Sequence, residues 1–300
     1  MPNRIQYLSP EKSRFHCQTW EMTDSSRLKA TVTSRGGRII SLQKNGHELV
    51  YSNPRLFAEL SKSSHLPERQ TTTWPEVLIG GEKTWIAPQK LFNGGVPFIA
   101  PDLGEYNVTQ IANRGLILES PVCPETGLQV IREITFGTRP GDLIVSAHLV
   151  NLSGKTQACA PWSVFQLLLP AQAKVGPINQ PPFAFPTEGR GLIPAEVVQG
   201  IDEHYAKIML REQGEIFKLG LPFFRSMGRF NVTFPQINGE TRPIQLQISF
   251  RNLKEAAYPH YTRGELFQGA NYFEAEVLGP LESIKDEGRT STLSLYLRID

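Results

Sequence analysis

The sequence predicts an all-β protein, a large sandwich or barrel, and three observations carry that prediction. Short β-rich runs alternate apolar and polar positions with period two. They recur about every ten residues, broken by Gly, Pro, Asn and Asp, as in sandwiches and barrels. Internal repeats, heptads and low-complexity tracts are absent. At 300 residues, 40% hydrophobic and 20% charged, the chain has enough apolar material for a sizeable core. A single domain over 1–300 is expected.

Residues 1–25 read as an extension or a first strand. Leu28–Thr33 is the first clear alternation. GGRIISLQKNGHELVY follows as a hairpin: two β-rich runs flank Asn45-Gly46, the dipeptide favoured in a type I′ turn. Leu116–Leu118, Gln129–Phe136, Asp142–Val150 and Ala158–Leu169 continue the series. The stretch Pro170–Pro194 is rich in proline and glycine, and 170–200 is expected to be a long loop of the kind that often serves as a lid or binding loop. Phe183 and Phe185 within it need something to pack on, which argues against a domain linker. Ile201–Arg211 fits helical spacing at Ile201, Tyr205, Ile208 and Met209 and strand spacing at Ile208 and Leu210, with the all-β context favouring a strand. Phe230–Phe234, Ile244–Phe250, Phe273–Leu278 and Ser291–Ile299 complete the set.

Composition narrows the function classes. A net charge of +2 with interspersed signs gives no footprint for nucleic acid or an anionic membrane. No apolar run approaches the ~20 residues that span a bilayer, and the N-terminus lacks the apolar region of a signal peptide. Cys17, Cys123 and Cys159 form no CxxC pair and read as reduced, buried thiols of a cytoplasmic protein. The Asn107, Asn151 and Asn231 sequons then carry no glycan.

Nucleotide-binding glycine motifs and GxSxG are missing. His47-Glu48 opens an HExx string, but Tyr51 stands where a second histidine would complete a zinc site, and the six histidines are scattered. No metal or cofactor is expected. What remains is polar and aromatic: GGEKTWIAPQ with Glu82, Lys83, Trp85 and Gln89, DLGEYNVTQ over Asp102–Gln110, and APWSVFQL with Trp162 and Gln166. Sugars suit such residues. A pyranose stacks its C–H face on tryptophan, and its hydroxyls need amide and charged partners. The double glycine would let backbone approach a ligand, although tryptophans mostly pack cores and glycine pairs mostly make turns. In YFEAEVLGP, Glu274 and Glu276 share one strand face, either as a working acid pair or as the wet side of an edge strand.

The order GGRIISLQKNGHELVY, GGEKTWIAPQ, PETGLQVIREITF, LVNLSG, APWSVFQL, FEAEVLGPL and STLSLYLRI resembles the galactose mutarotase-like (aldose 1-epimerase-like) proteins, above all the DUF4380 branch, over roughly 26–299. The resemblance implies a large antiparallel β-supersandwich with a sugar cleft on its concave sheet. It also implies a glutamate base and a histidine acid that open and reclose an aldose ring. Glu276, just before VLGP, matches the glutamate, with Glu274 in reserve. Trp162 stands where the histidine is expected, and an indole donates a hydrogen bond but no acid proton. His148, in the preceding strand, is a substitute for that acid. Glu82, Lys83, Trp85, Gln89, Trp162 and Gln166 become candidate sugar contacts. The function implied is sugar or short-glycan binding, with 1-epimerase activity on an aldose or sugar phosphate as the alternative. Hydrolysis ranks last, because two glutamates on one strand do not flank a scissile bond.

Overall fold

The computed structural model describes residues 2–57, 79–92, 97–184 and 196–300, apart from 203, 213, 224, 236–241 and 254. Strands are numbered in chain order. The first half carries β1 Arg4–Leu8, β2 Thr19–Thr23, β3 Leu28–Thr33, β4 Ile39–Lys44, β5 His47–Glu48, β6 Glu82–Ala87, β7 Asn107–Ile111, β8 Gly115–Glu119, β9 Leu128–Phe136 and β10 Asp142–Asn151. Then come β11 Gln157–Leu168, β12 Ala171–Gly176, β13 Phe183–Ala184, β14 Val198–Asp202, β15 Tyr205–Leu210 and β16 Phe217–Leu221. The chain closes with β17 Met227–Thr233, β18 Gln245–Arg251, β19 Gly264–Gln268, β20 Tyr272–Leu278, β21 Glu282–Ile284 and β22 Leu293–Ile299. A short helix, α1, spans Ile99–Leu103.

These strands form two antiparallel sheets. The twelve-stranded sheet runs β1-β2-β3-β4-β6-β11-β20-β19-β16-β13, with β5 on β4 and β21 on β11. The ten-stranded sheet runs β14-β15-β12-β17-β18-β22-β10-β9-β8-β7. The core lies between them. Phe165 and Leu167 of β11, Phe273 and Ala275 of β20 and Leu219 of β16 pack with Ile134, Val145, Phe230, Ile248 and Leu295 from the other sheet. Burying each large apolar side chain contributes about 1.5–3 kcal/mol.

Local signals in the sequence hold. The hairpin turns at Asn45 and Gly46, both at positive φ, as a type I′ turn requires. The stretch read as Ile201–Arg211 enters at the end of β14 and continues as β15, Tyr205–Leu210, so the strand reading holds there. The three cysteines are free and buried, and burial pushes the Cys17 and Cys159 thiols up to about 12. Within the loop expected over 170–200, the segment 171–176 is corrected, and 185–195 lies outside the described residues. Ala171–Gly176 is β12, an interior strand between β15 and β17, because Ala171, Ala173 and Val175 alternate into the core. Its prolines lie outside the paired segment. Phe183 stands over Gly220 of β16, where a Cβ would strike its ring. Phe185 lies outside the described residues.

The expected ligand approach at Gly80-Gly81 is also corrected. Both glycines have positive φ, and an added Cβ would meet the Tyr51 and Ile39 carbonyl oxygens at 2.3 and 2.5 Å. The close neighbour is the chain's own backbone as it enters β6.

Alternation along β6 sends Glu82 inward. Arg132 of β9 donates to Glu82 and to the Gly37 carbonyl, and Ser163 donates to Glu82 Oε1 at 3.0 Å. Both charged groups are fully buried, so this ion pair ties one sheet to the other. Removing one partner of a buried pair costs about 3–5 kcal/mol, while replacing both is far milder. Glu82→Gln is therefore expected to lower unfolding stability by about that amount in urea titrations, and the double variant Glu82→Gln with Arg132→Met to recover most of it.

A buried polar row as candidate site

In β6, β11 and β20 almost every residue is buried on both faces of the sheet. That is unusual for a sandwich, whose outer face is normally wet, and the outer residues here are mostly polar. Register explains how they meet. Val164 of β11 lies beside Lys83 on β6 and Glu276 on β20, and Glu276 lies beside Glu265 on β19. One step along, Trp162 faces Trp85, and one step the other way Gln166 faces Glu274. Lys218 reaches in from β16.

Hydrogen bonds join these groups into two chains. Trp162 Nε1 donates to Glu276 Oε2 at 2.9 Å. Lys218 Nζ lies 3.1 Å from the same oxygen and 2.6 Å from Glu265 Oε2. His260 Nδ1 is 2.9 Å from Glu265 Oε1, and its Nε2 accepts from the Gln89 N–H at 3.1 Å. In the second chain Lys83 Nζ donates to Gln166 Oε1 at 2.9 Å, and Gln166 Nε2 donates to Glu274 Oε1 at 2.8 Å. Trp85 Nε1 donates to Asp102 of α1 at 2.9 Å, and Asp102 pairs with the buried Arg38 at 3.3 Å.

Aromatic rings cover the row. Phe92 stacks on Trp162 with centroids 6.1 Å apart, Trp85 meets it edge-on at 5.2 Å, and His260 does the same at 5.2 Å. Lys218 lies over the Trp162 ring and Lys83 over the Trp85 ring, at 5.0 and 4.8 Å. Desolvated cation–π contacts of this kind contribute about 2 kcal/mol or more. His260 is delivered by a turn in which it and Tyr261 both adopt left-handed backbone, φ 57° and 63°. That conformation is costly for a tyrosine.

Three carboxyls and two ammonium groups share this dry space, and the imbalance has a local solution. Burial, then the neighbouring Glu265 and Glu274 charges, push Glu276 well above the usual carboxylate range in spite of Lys218. Burial also raises Glu274. Glu265 goes the other way: burial is outweighed by Lys218 and His260, which keep it ionised. Burial brings Lys83 down to about 8. No donor reaches the buried Glu276 Oε1 among the described residues, and a protonated Glu276 carboxyl bonds Glu274 instead. Adjacent strands thus carry one carboxyl pushed up and one pulled down, the divergence from which acid and base chemistry is built.

The structure brings together Glu276, Glu274, Trp162, Trp85, Lys83 and Gln166. Gln89 joins through its backbone N–H, while its residue is exposed at the edge. Glu82 does not join, since it faces the core. His148 lies on β10 of the opposite sheet, half-buried on its outward side. The glutamate pair is on an interior strand with a dry face, so the edge-strand alternative does not hold. Sequence reasoning missed Glu265, Lys218 and His260. They come from short strands and a turn whose spacing gives no signal, and only register and the path of the 259–261 turn collect them. Among the described residues no cluster of His, Cys, Asp and Glu could hold a metal ion, and no helix is long and apolar enough to cross a membrane.

No family model matches the sequence, and no curated protein matches it either. Solved structures do match in three dimensions. A galactose mutarotase-like protein from Lactobacillus casei aligns at TM-score 0.56 and 10% identity, over 94% of this chain and 100% of that one. A galactose mutarotase-like protein from Clostridium acetobutylicum aligns at TM-score 0.56 and 10% identity, over 100% and 99%. Galactose 1-epimerase from Lactobacillus acidophilus aligns at 0.52 and 10%, over 99% of each chain. The chain has the galactose mutarotase-like fold.

The raised Glu276 gives a pH signature. Its folded pKa lies above the unfolded 4.5, so its favourable contribution is complete below about pH 4.5 and is lost as pH rises toward the folded value. The stability of wild type relative to Glu276→Gln, from urea unfolding, is expected to fall across that window by up to about 1.4 kcal/mol per pH unit. Parallel profiles would mean that Glu276 titrates normally.

Proposed function

We propose that the chain is a carbohydrate-binding protein that takes a monosaccharide, or one residue of a short glycan, over the polar row at Glu276, Trp162 and Trp85. The observation that carries this reading is Glu276 Oε1, a buried oxygen that no donor reaches among the described residues, beside two indoles. A sugar hydroxyl satisfies such an atom, and a pyranose C–H face suits an indole. Lys83, Gln166, Glu274 and Lys218 supply further polar partners. The faces of Trp162 are occupied by Phe92 and Lys218, so the sugar takes the place of Phe92. Phe92 ends the turn that begins at Gln89, and the Gln89–His260 hydrogen bond holds that turn. Opening this bond is the step that admits ligand.

A second reading, aldose 1-epimerase, rests on a different observation: Glu276 is pushed up while its register partner Glu265 is pulled down. In that reading Glu276 is the acid and Glu265 the base, with Lys218 and His260 positioning Glu265. This reverses the base role that the resemblance implies for Glu276. The narrower affinity to the DUF4380 branch rests on the GGEKTWIAPQ and EVLGPL runs, and a cytoplasmic location rests on the three free thiols.

Tryptophan fluorescence titrated with a panel of aldoses and short glycans tests the binding reading. At least one sugar is expected to shift emission saturably at millimolar concentration, with affinity weakened tenfold or more in Glu276→Gln and in Trp162→Phe. No response to any sugar, or unchanged affinity in both variants, removes it. Anomer exchange followed by NMR decides the second reading: wild type at the uncatalysed rate sinks it, and catalysis lost in both Glu276→Gln and Glu265→Gln upholds it.

A further inference from the structure

His260 is tied at both ring nitrogens, and one of its partners decides where its proton sits. The Gln89 backbone N–H can only donate, so Nε2, 3.1 Å away, is the acceptor. Nδ1 therefore carries the proton and donates it to Glu265 Oε1 at 2.9 Å. The ring in this arrangement is neutral. A protonated imidazole is a donor at both nitrogens. It keeps the Glu265 bond, which becomes charge-assisted at both ends. It loses the Gln89 bond, because two N–H groups then face each other.

The Gln89 end of this contact is what holds Phe92. Gln89 opens the tight turn Gln89–Leu91, and its carbonyl accepts from the Phe92 N–H at 2.8 Å. One residue thus grips His260 through its N–H and Phe92 through its C=O. Phe92 in turn lies on Trp162 and meets Trp85 and Phe98 edge-on. Solvent protons reach this contact without entering the polar row. The His260 side chain is 18% exposed and Gln89 is exposed, whereas Glu265, Glu276 and Trp162 are buried.

Charged groups surround the ring from each element packed on it. Glu265 of β19 touches it. Lys218 of β16 holds the other Glu265 oxygen and lies over Trp162 of β11. Glu276 of β20 is reached through the Trp162 N–H, with Glu274 on the same strand. Lys90 sits exposed in the latched turn, and Tyr258 and Tyr261 belong to the turn that carries His260. Among these only Glu265 bonds the ring. A proton gained by His260 is therefore met by a carboxylate on the Nδ1 side and by a backbone donor on the Nε2 side.

We propose that His260 is a proton-operated latch on the polar row. Its neutral ring holds the Gln89–Phe92 turn shut, and its protonated ring frees that turn while staying bound to Glu265. As control of ligand entry the latch rests on the sugar-binding reading, in which Phe92 gives way. As a property of the turn it needs no sugar.

Backbone amide exchange of the full chain without sugar, followed by NMR from about pH 8 to about pH 5, where imidazoles titrate, tests it. Each rate is divided by the intrinsic rate at that pH and compared with the Val164 and Phe165 amides of β11. Protection of the Gln89 and Phe92 amides is expected to fall about tenfold relative to β11 toward the acid end, as loss of one hydrogen bond implies. The midpoint should match the titration of the His260 ring resonances, and ring nitrogen shifts at the alkaline end should place the proton on Nδ1. In His260→Gln the protection should not vary with pH. The proposal falls if wild-type protection is flat, if Nε2 carries the proton at the alkaline end, or if the pH dependence persists in His260→Gln. Should that variant not fold, a midpoint that departs from the His260 titration overturns it. With no sugar present, failure here leaves the fluorescence titration to judge sugar binding, and failure there leaves the latch standing.

Discussion

A row of charges sealed from water must settle its own balance, and that requirement organises the twelve-stranded sheet. Lys83, Lys218, Glu265, Glu274 and Glu276 come from four strands, β6, β16, β19 and β20, and share one face of the run β6-β11-β20-β19-β16. Two lysines serve three carboxyls, and burial pushes Glu276 well above the usual carboxylate range. A one-residue slip of β20 would send both glutamates into the apolar core and Ala275 and Val277 outward. The charge balance and the apolar core therefore enforce the same register from opposite sides.

Neighbours in sequence do different work because a strand has two faces. Glu82 points inward and bonds Arg132 of the other sheet, while Lys83, the next residue, points outward to Gln166. Trp85 joins the outer row, and Ile86 between the sheets packs with Val130 and Leu149. The motif GGEKTWIAPQ is thus several functions interleaved: a backbone crossing at the glycines, an inter-sheet ion pair, a lysine of the polar row, an indole over that lysine, and a backbone donor that holds His260.

Trp162 occupies the centre of this arrangement without acting as an acid. Its N–H fixes Glu276, its ring carries Lys218, and it is packed by Phe92, Trp85 and His260. The histidine nearest Glu276 arrives from a turn late in the chain, not from the mid-chain strand, and it is tied by both ring nitrogens.

The sequence by itself determined the β architecture, because a period of two and turn residues such as Asn45-Gly46 are local properties that neighbouring residues enforce. It also placed Glu274 and Glu276 on one face and put Trp162 among the candidate residues. It misread Ala171–Gly176, where flanking prolines masked three small core residues, and it took Glu82 for a ligand contact, because alternation gives two faces without saying which one the other sheet covers. Tertiary structure alone decided that the outer face is dry and that Lys218, Glu265 and His260 join the glutamates there. Those are consequences of pairing strands far apart in the chain. Burial, which raises Glu274 and Glu276, exists only once the strands have paired.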